Sequence, residues 1–218
     1  MGLKATHPIV VDLPNLPFPM KEIYRRIGMP EHKVAEHEGV SEMLEKALEI
    51  AEPLIQPRAI YRFLPIQTIS DNTVRFINVP FTIGSRQVAK LLGSCSNAVV
   101  FMSTIGKALE QQSHEMFQEG DVTLAFLLDA IASETADAAA DFLHRRIIPS
   151  LVKEQGYQVT ARFSPGYGDW PITVQSDVLQ ICEGGRIDIS VTESSLMIPR
   201  KSVSAVFGLK RIQKKTKD

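Results

Sequence analysis

Apolar positions recur along the chain at two spacings, one typical of helices and one typical of strands. Over residues 121–148 they follow a helical period, which predicts one long helix beginning at Asp121. Residues 59–66 alternate between two faces, and the run 97–103 is almost entirely apolar, as in a buried strand. The pair Asp71-Asn72 before residues 73–77 is typical of a turn and predicts a hairpin.

The remaining periodic stretches complete the predicted set of elements. Helices are expected near 21–27, 85–92, 104–117 and 173–182, with another from Ser41 as its N-cap to Pro57, and strands near 157–163, 186–192 and 202–209. The strands occur in local pairs, and helices do not alternate regularly with them, which favours an α+β fold over a doubly wound one. We expect a mixed, largely antiparallel twisted sheet packed with long helices.

The chain shows no internal repeat and no low-complexity linker, which indicates a single domain over residues 1–218. Residues 1–19 are rich in proline and predict an extended N-terminal arm, since proline suits extended and edge positions. The lysine-rich residues 210–218 predict a mobile basic tail.

Composition excludes several classes of function. The 218 residues include 44% hydrophobic residues, a normal fraction for a globular protein. Their formal net charge of -1 argues against a nucleic-acid binder, which usually has a concentrated basic face. No stretch approaches the roughly 20 apolar residues of a membrane span, and no secretory pattern begins the chain, so a cytoplasmic location without a membrane partner is expected. Cys95 and Cys182 are expected to be free thiols, and no metal-ligand spacing is found among the histidines.

The segment from Arg162 to Pro171 concentrates the candidate chemistry. It holds two glycines, two prolines, Tyr167 and the only tryptophan of the chain, Trp170. Glycine allows a ligand to approach the backbone, proline stiffens a loop, and arginine offers a planar fork for a carboxylate or phosphate. From the residues alone two interpretations stay open: a rigid ligand-binding loop, or a tight corner capped by an aromatic side chain.

Three ordered motifs carry a resemblance to a known family. The first is RFSPGY, Arg162 to Tyr167, followed by Pro171; the second is TESSLMIP at 192–199 with SVS at 202–204; the third is the acidic helical stretch 128–144. Together they resemble the S-adenosylmethionine-binding activation domain of cobalamin-dependent methionine synthase, whose matching segments read R-x-x-P-G-Y-x-x-x-P and T-E-S-x-x-M-x-P-x-x-S-V-S. The chain looks like a stand-alone form of that domain.

The resemblance implies a shallow groove that binds S-adenosylmethionine. Arg162 is expected to pair with the methionine carboxylate in a charge-assisted contact. Ser164, Gly166 and Tyr167 are expected to contact the ligand beside it. We also expect Arg162 to be held near the groove before any ligand binds, because Pro165 and Pro171 stiffen the loop.

Other residues enter through the same resemblance. Asp137 falls where the family has an acidic ligand contact and is expected to accept from the ribose hydroxyls or the α-ammonium group; a solvated helix acid is the open alternative. Glu193, Trp170 and Asp169 are expected to support the loop, with a local hydrogen bond as the simpler role for Glu193.

The function implied is accessory. The protein is expected to bind S-adenosylmethionine and to support reductive methylation, that is, reactivation, of the cobalamin of methionine synthase or of a related corrinoid protein. Cobalamin is expected only through that corrinoid-protein partner, because the chain has no D-x-H-x-x-G cobalamin loop, and a flavodoxin or ferredoxin would supply the electron.

Two points stay open at this stage. Whether the chain counts as an enzyme is undecided, because it would act as part of a split methyltransferase system and needs no general base or other catalytic residue of its own. The alternative is a non-catalytic interaction module that docks a corrinoid protein.

Overall fold

The computed structural model describes residues 7–14 and 16–212. Its helices are α1 Met20–Arg26, α2 Glu31–Glu36, α3 Glu38–Ala51, α4 Arg86–Leu92, α5 Ala108–Gln118, α6 Val122–Phe142, α7 Ile148–Val152 and α8 Gln175–Cys182. Its strands are β1 Ile9–Asp12, β2 Arg58–Ser70, β3 Thr73–Phe76, β4 Val79–Gly84, β5 Asn97–Thr104, β6 Tyr157–Phe163, β7 Ser190–Val191, β8 Met197–Ile198 and β9 Ser202–Arg211.

The main sheet runs in the order β4-β3-β2-β5-β9-β6, with β1 paired to β2. Every strand pairing between described residues is antiparallel. Strands β7 and β8 form a separate small hairpin. The predicted α+β architecture, an antiparallel sheet packed with long helices, is confirmed.

Alternation along the strands sends apolar side chains into two cores, one on each face of the sheet. In β2, Ala59, Tyr61 and Phe63 join the core beneath α1, α3 and α6. Ile60 and Leu64, between them in the chain, join the opposite core beneath α4 and α8. The predicted two-faced alternation of this strand is therefore confirmed, and it fixes which face each neighbouring side chain reaches.

Helix α6 is the longest element and lies across one face of the sheet. The Asp121 carboxylate caps it by accepting from the Leu124 N–H at 3.1 Å, as predicted. Residues 143–147 continue α6 into α7 through a single π turn, closed by the Ile148 N–H donating to the Leu143 carbonyl. Pro149 follows in the first turn of α7, and the chain accommodates this proline with a wider turn in a continuous helical path.

Two predicted boundaries differ from the structure. Ser41 is not an N-cap, because α3 begins at Glu38 and Ser41 lies within its first turns. Residues 186–192 are not a strand of the main sheet. Glu183 and Asp188 both adopt positive φ, at 55° and 61°, and enclose a 3-10 turn, a conformation that an extended strand excludes.

Helix α2 and strand β4 had no counterpart in the sequence prediction. Helix α2 lies in a polar stretch and is held by Val34, which is buried. Strand β4 alternates buried Val79, Phe81 and Ile83 with exposed residues, a two-residue period that was present in the sequence.

Segments near both ends of the chain pair with strands of the main sheet. Residues 9–12 of the predicted N-terminal arm form β1 on β2, while residues 1–6 and 15 lie outside the described residues. At the other end, Lys210 and Arg211 belong to β9 and pair with β6, so the prediction of a mobile tail is wrong for these two residues. Residues 213–218 of the predicted tail lie outside the described part. In the part described, none of the helices has the length and apolar character needed to cross a membrane.

Candidate functional site

Three segments that are distant in the sequence line one groove of about 500 Å³. The lining residues come from α6, from the stretch that runs from the end of β6 through its loop to the beginning of α8, and from the β8–β9 region. They are Asp137, Arg162, Phe163, Ser164, Pro165, Tyr167, Ile172, Gln175, Met197, Ser202, Val203 and Ser204. Each of the three sequence motifs contributes to this lining. The fold therefore brings the motifs together at a single place.

A β-bulge in β6 directs Arg162 toward α6. Val159 pairs with Leu209 and Arg162 pairs with Phe207, so three steps along β6 correspond to two steps along β9. Leu209 and Phe207 both face the core under α6. Without the extra residue, Arg162 would point to the opposite face of the sheet; the bulge places it beside the helix.

Polar contacts secure the bulge. The Thr160 hydroxyl accepts from the Gly208 N–H at 2.8 Å, and the Thr160 carbonyl accepts from His144 Nε2 at 2.7 Å. His144 lies in the π turn and is buried against Phe207. Burial lowers the pKa of His144, although the bond to Thr160 and the charge of Asp141 oppose the shift, so the neutral ring with its proton on Nε2 fits this contact.

Arg162 is bound by two carboxylates of α6. Its Nη2 lies 2.7 Å from Asp137 Oδ1, and its Nε lies 3.1 Å from Asp141 Oδ1. The side chain is 20% exposed, because the two acids hold it against the helix. Nη1 of Arg162 and Oδ2 of Asp137 stay outside these contacts, and both residues line the groove.

Residues 164–171 follow β6 and are called the motif loop here. The first half of this loop, residues 164–167, lies along the groove. Gly166 has φ 89°, a conformation that favours glycine, and its N–H donates to the Trp170 carbonyl at 2.8 Å. Ser164 and Tyr167 line the groove. Tyr167 is 70% exposed, so its ring is accessible at the mouth of the groove.

The second half of the loop is anchored to the rest of the protein by the buried ring of Trp170 and by hydrogen bonds of the exposed Asp169. Trp170 is 1% exposed and lies in the core beneath α4 and α8, near the ring of Phe163. Asp169 accepts from the Ser85 hydroxyl at 2.6 Å and from the N–H of Arg86 at 2.8 Å, at the beginning of α4. These bonds lower the pKa of Asp169, and the bond from Ser85 has the largest effect. They also join the loop to α4.

The third motif segment closes the groove from the side of β8 and β9. Ser204 donates to the buried Gln175 side chain at 2.7 Å, which links β9 to α8 beneath the groove. Glu193 is exposed in the turn of the small hairpin and is not among the groove-lining residues that the structure describes. Its predicted role in supporting the loop stays a prediction.

Sequence reasoning missed Asp141 and Gln175. Asp141 follows Asp137 by four residues and therefore lies on the same face of α6, a spacing that was available in the sequence. Gln175 carried no such signal, because its importance depends on the distant Ser204.

A second groove of about 520 Å³ borders the other side of Asp137. It lies between residues 16–22 and α6 and includes Glu22, Asp141 and Arg145. Asp137 therefore lies at the boundary between the two grooves, and Arg162 lines only the first of them.

Comparison with known proteins identifies a family and a similar fold. The family model described as vitamin B12 dependent methionine synthase, activation domain, matches residues 88–213, more than half of the chain. Among solved structures, the fold is similar to the crystal structure of the MetH reactivation domain bound to AdoHcy, with a TM-score of 0.71 and 16% sequence identity over 95% of this chain and 79% of that chain. A search of curated proteins finds no match.

Proposed function

The chain belongs to the family of vitamin B12 dependent methionine synthase activation domains, and from this premise we propose that it binds S-adenosylmethionine in the groove to support reactivation of a protein-bound corrinoid. The observation that carries the proposal is the convergence of three separate motif segments on one groove. Its volume, about 500 Å³, lies within the range that small-molecule sites take.

The groove offers complementary partners for the amino-acid part of the ligand. Arg162 Nη1 would donate to the methionine carboxylate, while the second Asp137 oxygen would accept from the α-ammonium group or the ribose. The two side chains already pair with each other at 2.7 Å. A ligand that carries both charges can therefore bind beside the pair without leaving either charge uncompensated.

The loop would hold the remainder of the ligand. Backbone groups near Ser164 and Gly166 would contact the ligand directly, and the exposed Tyr167 ring would lie against a flat apolar surface such as the adenine. Trp170 and Asp169 would act through the loop, since both are bound to other parts of the fold.

In the proposed reaction, a reduced corrinoid takes the methyl group of the sulfonium. A flavodoxin or ferredoxin would first supply one electron to the oxidised corrinoid. The reduced corrinoid would then supply the electron pair that accepts the methyl group. The C–S bond would break and leave its own electron pair on sulfur, which gives S-adenosylhomocysteine. The contribution of this chain is to bind and orient the methyl donor. No side chain needs to act as a general base.

Apolar side chains at the mouth of the groove support docking of a partner. Tyr167 and Ile172 line the groove and are exposed, and Leu196 and Ile198, on either side of Met197, are also exposed. Exposed apolar clusters of this kind are typical of interaction surfaces. The proposed partner is a separate corrinoid-binding protein, which would bring cobalamin to this single-domain protein.

The test of ligand binding is a calorimetric titration with S-adenosylmethionine. Arg162→Ala should weaken binding by roughly ten- to hundredfold, the loss of a charge-assisted contact worth about 1.5–3 kcal/mol. Arg162→Lys should recover part of the affinity, since an ammonium group lacks the planar fork. Arg186→Ala, which removes an arginine paired with Glu183 away from the groove, is the matched control and should bind normally.

Two results would count against the proposal. If Arg162→Ala binds like the wild type but melts at a much lower temperature, Arg162 is a structural residue and the groove assignment is wrong. If the wild-type protein binds no S-adenosylmethionine yet associates with a purified corrinoid protein, the chain is an interaction module without a methyl-donor site.

A further inference from the structure

The guanidinium of Arg162 is held along only one of its edges. Nε and Nη2 form the side edge of the group, and they contact Asp141 and Asp137 at 3.1 Å and 2.7 Å. The other edge, formed by Nη1 and the second hydrogen of Nη2, stays outside these contacts. Two contacts made by two carboxylates fix the plane of the group, whereas one contact would allow it to rotate.

The two carboxylates have different surroundings. Asp137 is 60% exposed and lines the groove. Asp141 is 37% exposed and, among the described residues, lies outside the groove lining. Its second oxygen contacts Arg145 Nε at 3.3 Å, so Asp141 is itself bound on both sides. Asp141 reaches the groove only through Arg162.

We propose that Asp141 is a positioning residue that fixes the orientation of the Arg162 guanidinium and so presents its free edge to the carboxylate of the ligand. This inference rests on the proposed function, in which Arg162 binds that carboxylate. Without Asp141, Arg162 keeps only its contact with Asp137. The guanidinium then turns onto Asp137, and the ligand must displace it before either residue can bind.

Calorimetric titration with S-adenosylmethionine and S-adenosylhomocysteine tests the proposal. Asp141→Asn should weaken binding on the order of tenfold, because contacting residues in one ion-pair network are strongly coupled. The control is Asp129→Asn, another α6 acid that binds a cation, Lys201 Nζ at 2.6 Å, from outside helix α6; it should leave the affinity unchanged. Asp141→Glu should restore part of the loss, because it keeps the charge.

A double-mutant cycle distinguishes positioning from general support. In an Arg162→Ala background, Asp141→Asn should cause no further loss of affinity, because the residue through which it acts is gone. An equal loss in both backgrounds, or normal binding by Asp141→Asn alone, would overturn the proposal. Thermal unfolding of the same samples checks that all variants are folded.

An NMR measurement keeps the inference separate from the proposed function. The Arg162 Nε–H signal, assigned by its absence in Arg162→Ala, should exchange slowly with water in the wild type and rapidly in Asp141→Asn. If the wild type binds neither ligand, the proposed function fails, but a freed Nε–H still supports positioning by Asp141. An unchanged signal in Asp141→Asn overturns it in either case.

Discussion

The motif loop contains two neighbouring halves that are attached to the protein in different ways. Tyr167, which follows Gly166, lines the groove and is 70% exposed. Asp169 and Trp170, two and three residues after Tyr167, bind helix α4 and the core, where Trp170 is 1% exposed. Both halves contain an aromatic ring, yet only one ring is free to meet a ligand.

The difference shows how a loop can be both open and rigid. The Gly166 N–H donates to the Trp170 carbonyl at 2.8 Å, so the groove half is bonded directly to the anchored half. The anchored half is ordered by the packing of Trp170 and by the bonds of Asp169 at the beginning of α4. The conformational cost of ordering the groove side is therefore met during folding, which preorganises the loop for binding.

The largest expected effect comes from removing the buried ring. Trp170→Ala should lower the free energy of unfolding by about 3–5 kcal/mol, because it leaves a large cavity in the core beneath α4 and α8. Urea denaturation followed by circular dichroism measures the change. Tyr167→Ala is the matched control and should alter stability by less than about 0.5 kcal/mol. Equal losses in the two variants would remove the distinction between the halves.

Most of the sheet could be predicted from local patterns, because its strands alternate strictly between two cores. Residues 59–66 and 97–103 were identified as strands, and both are strands in the structure. The error at residues 186–192 has a local physical cause. Ile187 and Ile189 show the spacing of a strand, but positive φ at Glu183 and Asp188 turns the chain sharply there, and neither is a glycine that would have indicated it.

The candidate site was predictable only in part. The motif residues Arg162 and Asp137 were identified from the resemblance, and they meet in the structure. The bulge at Thr160 that aims Arg162 depends on the register between β6 and β9, and register follows from long-range pairing that a local pattern does not contain. The division of the loop was hidden for a similar reason, since a sequence cannot show which aromatic ring the fold buries.

A smaller effect, on binding alone, is expected from the exposed ring. Tyr167→Ala should weaken S-adenosylmethionine binding about three- to tenfold, the loss of an aromatic contact worth roughly 0.5–1.5 kcal/mol. Tyr167→Phe keeps the ring and should bind nearly as well as the wild type. Calorimetric titration of both variants measures this. If Tyr167→Ala binds normally while Trp170→Phe loses affinity at unchanged stability, the roles of the two halves are reversed.

The smallest effect concerns the acid dependence of the bonds by which Asp169 anchors the loop to α4. Hydrogen bonds, first from the Ser85 hydroxyl and then from the N–H groups of Arg86 and Gln87, hold the pKa of Asp169 below the ordinary aspartate value of about 3.9. The unfolded chain therefore binds this proton more readily than the folded one, so the stability that Asp169 contributes is complete above about pH 3.9 and is lost as the pH falls through its lower folded pKa. Urea denaturation at pH 6, 4 and 3 should show Asp169→Asn less stable than the wild type at pH 6, with the gap narrowing toward pH 3. Tyr167→Phe, altered in the other half, should parallel the wild type at all three values. A gap that stays constant with pH would mean that the Asp169 carboxylate does not hold the loop to α4 through its charge.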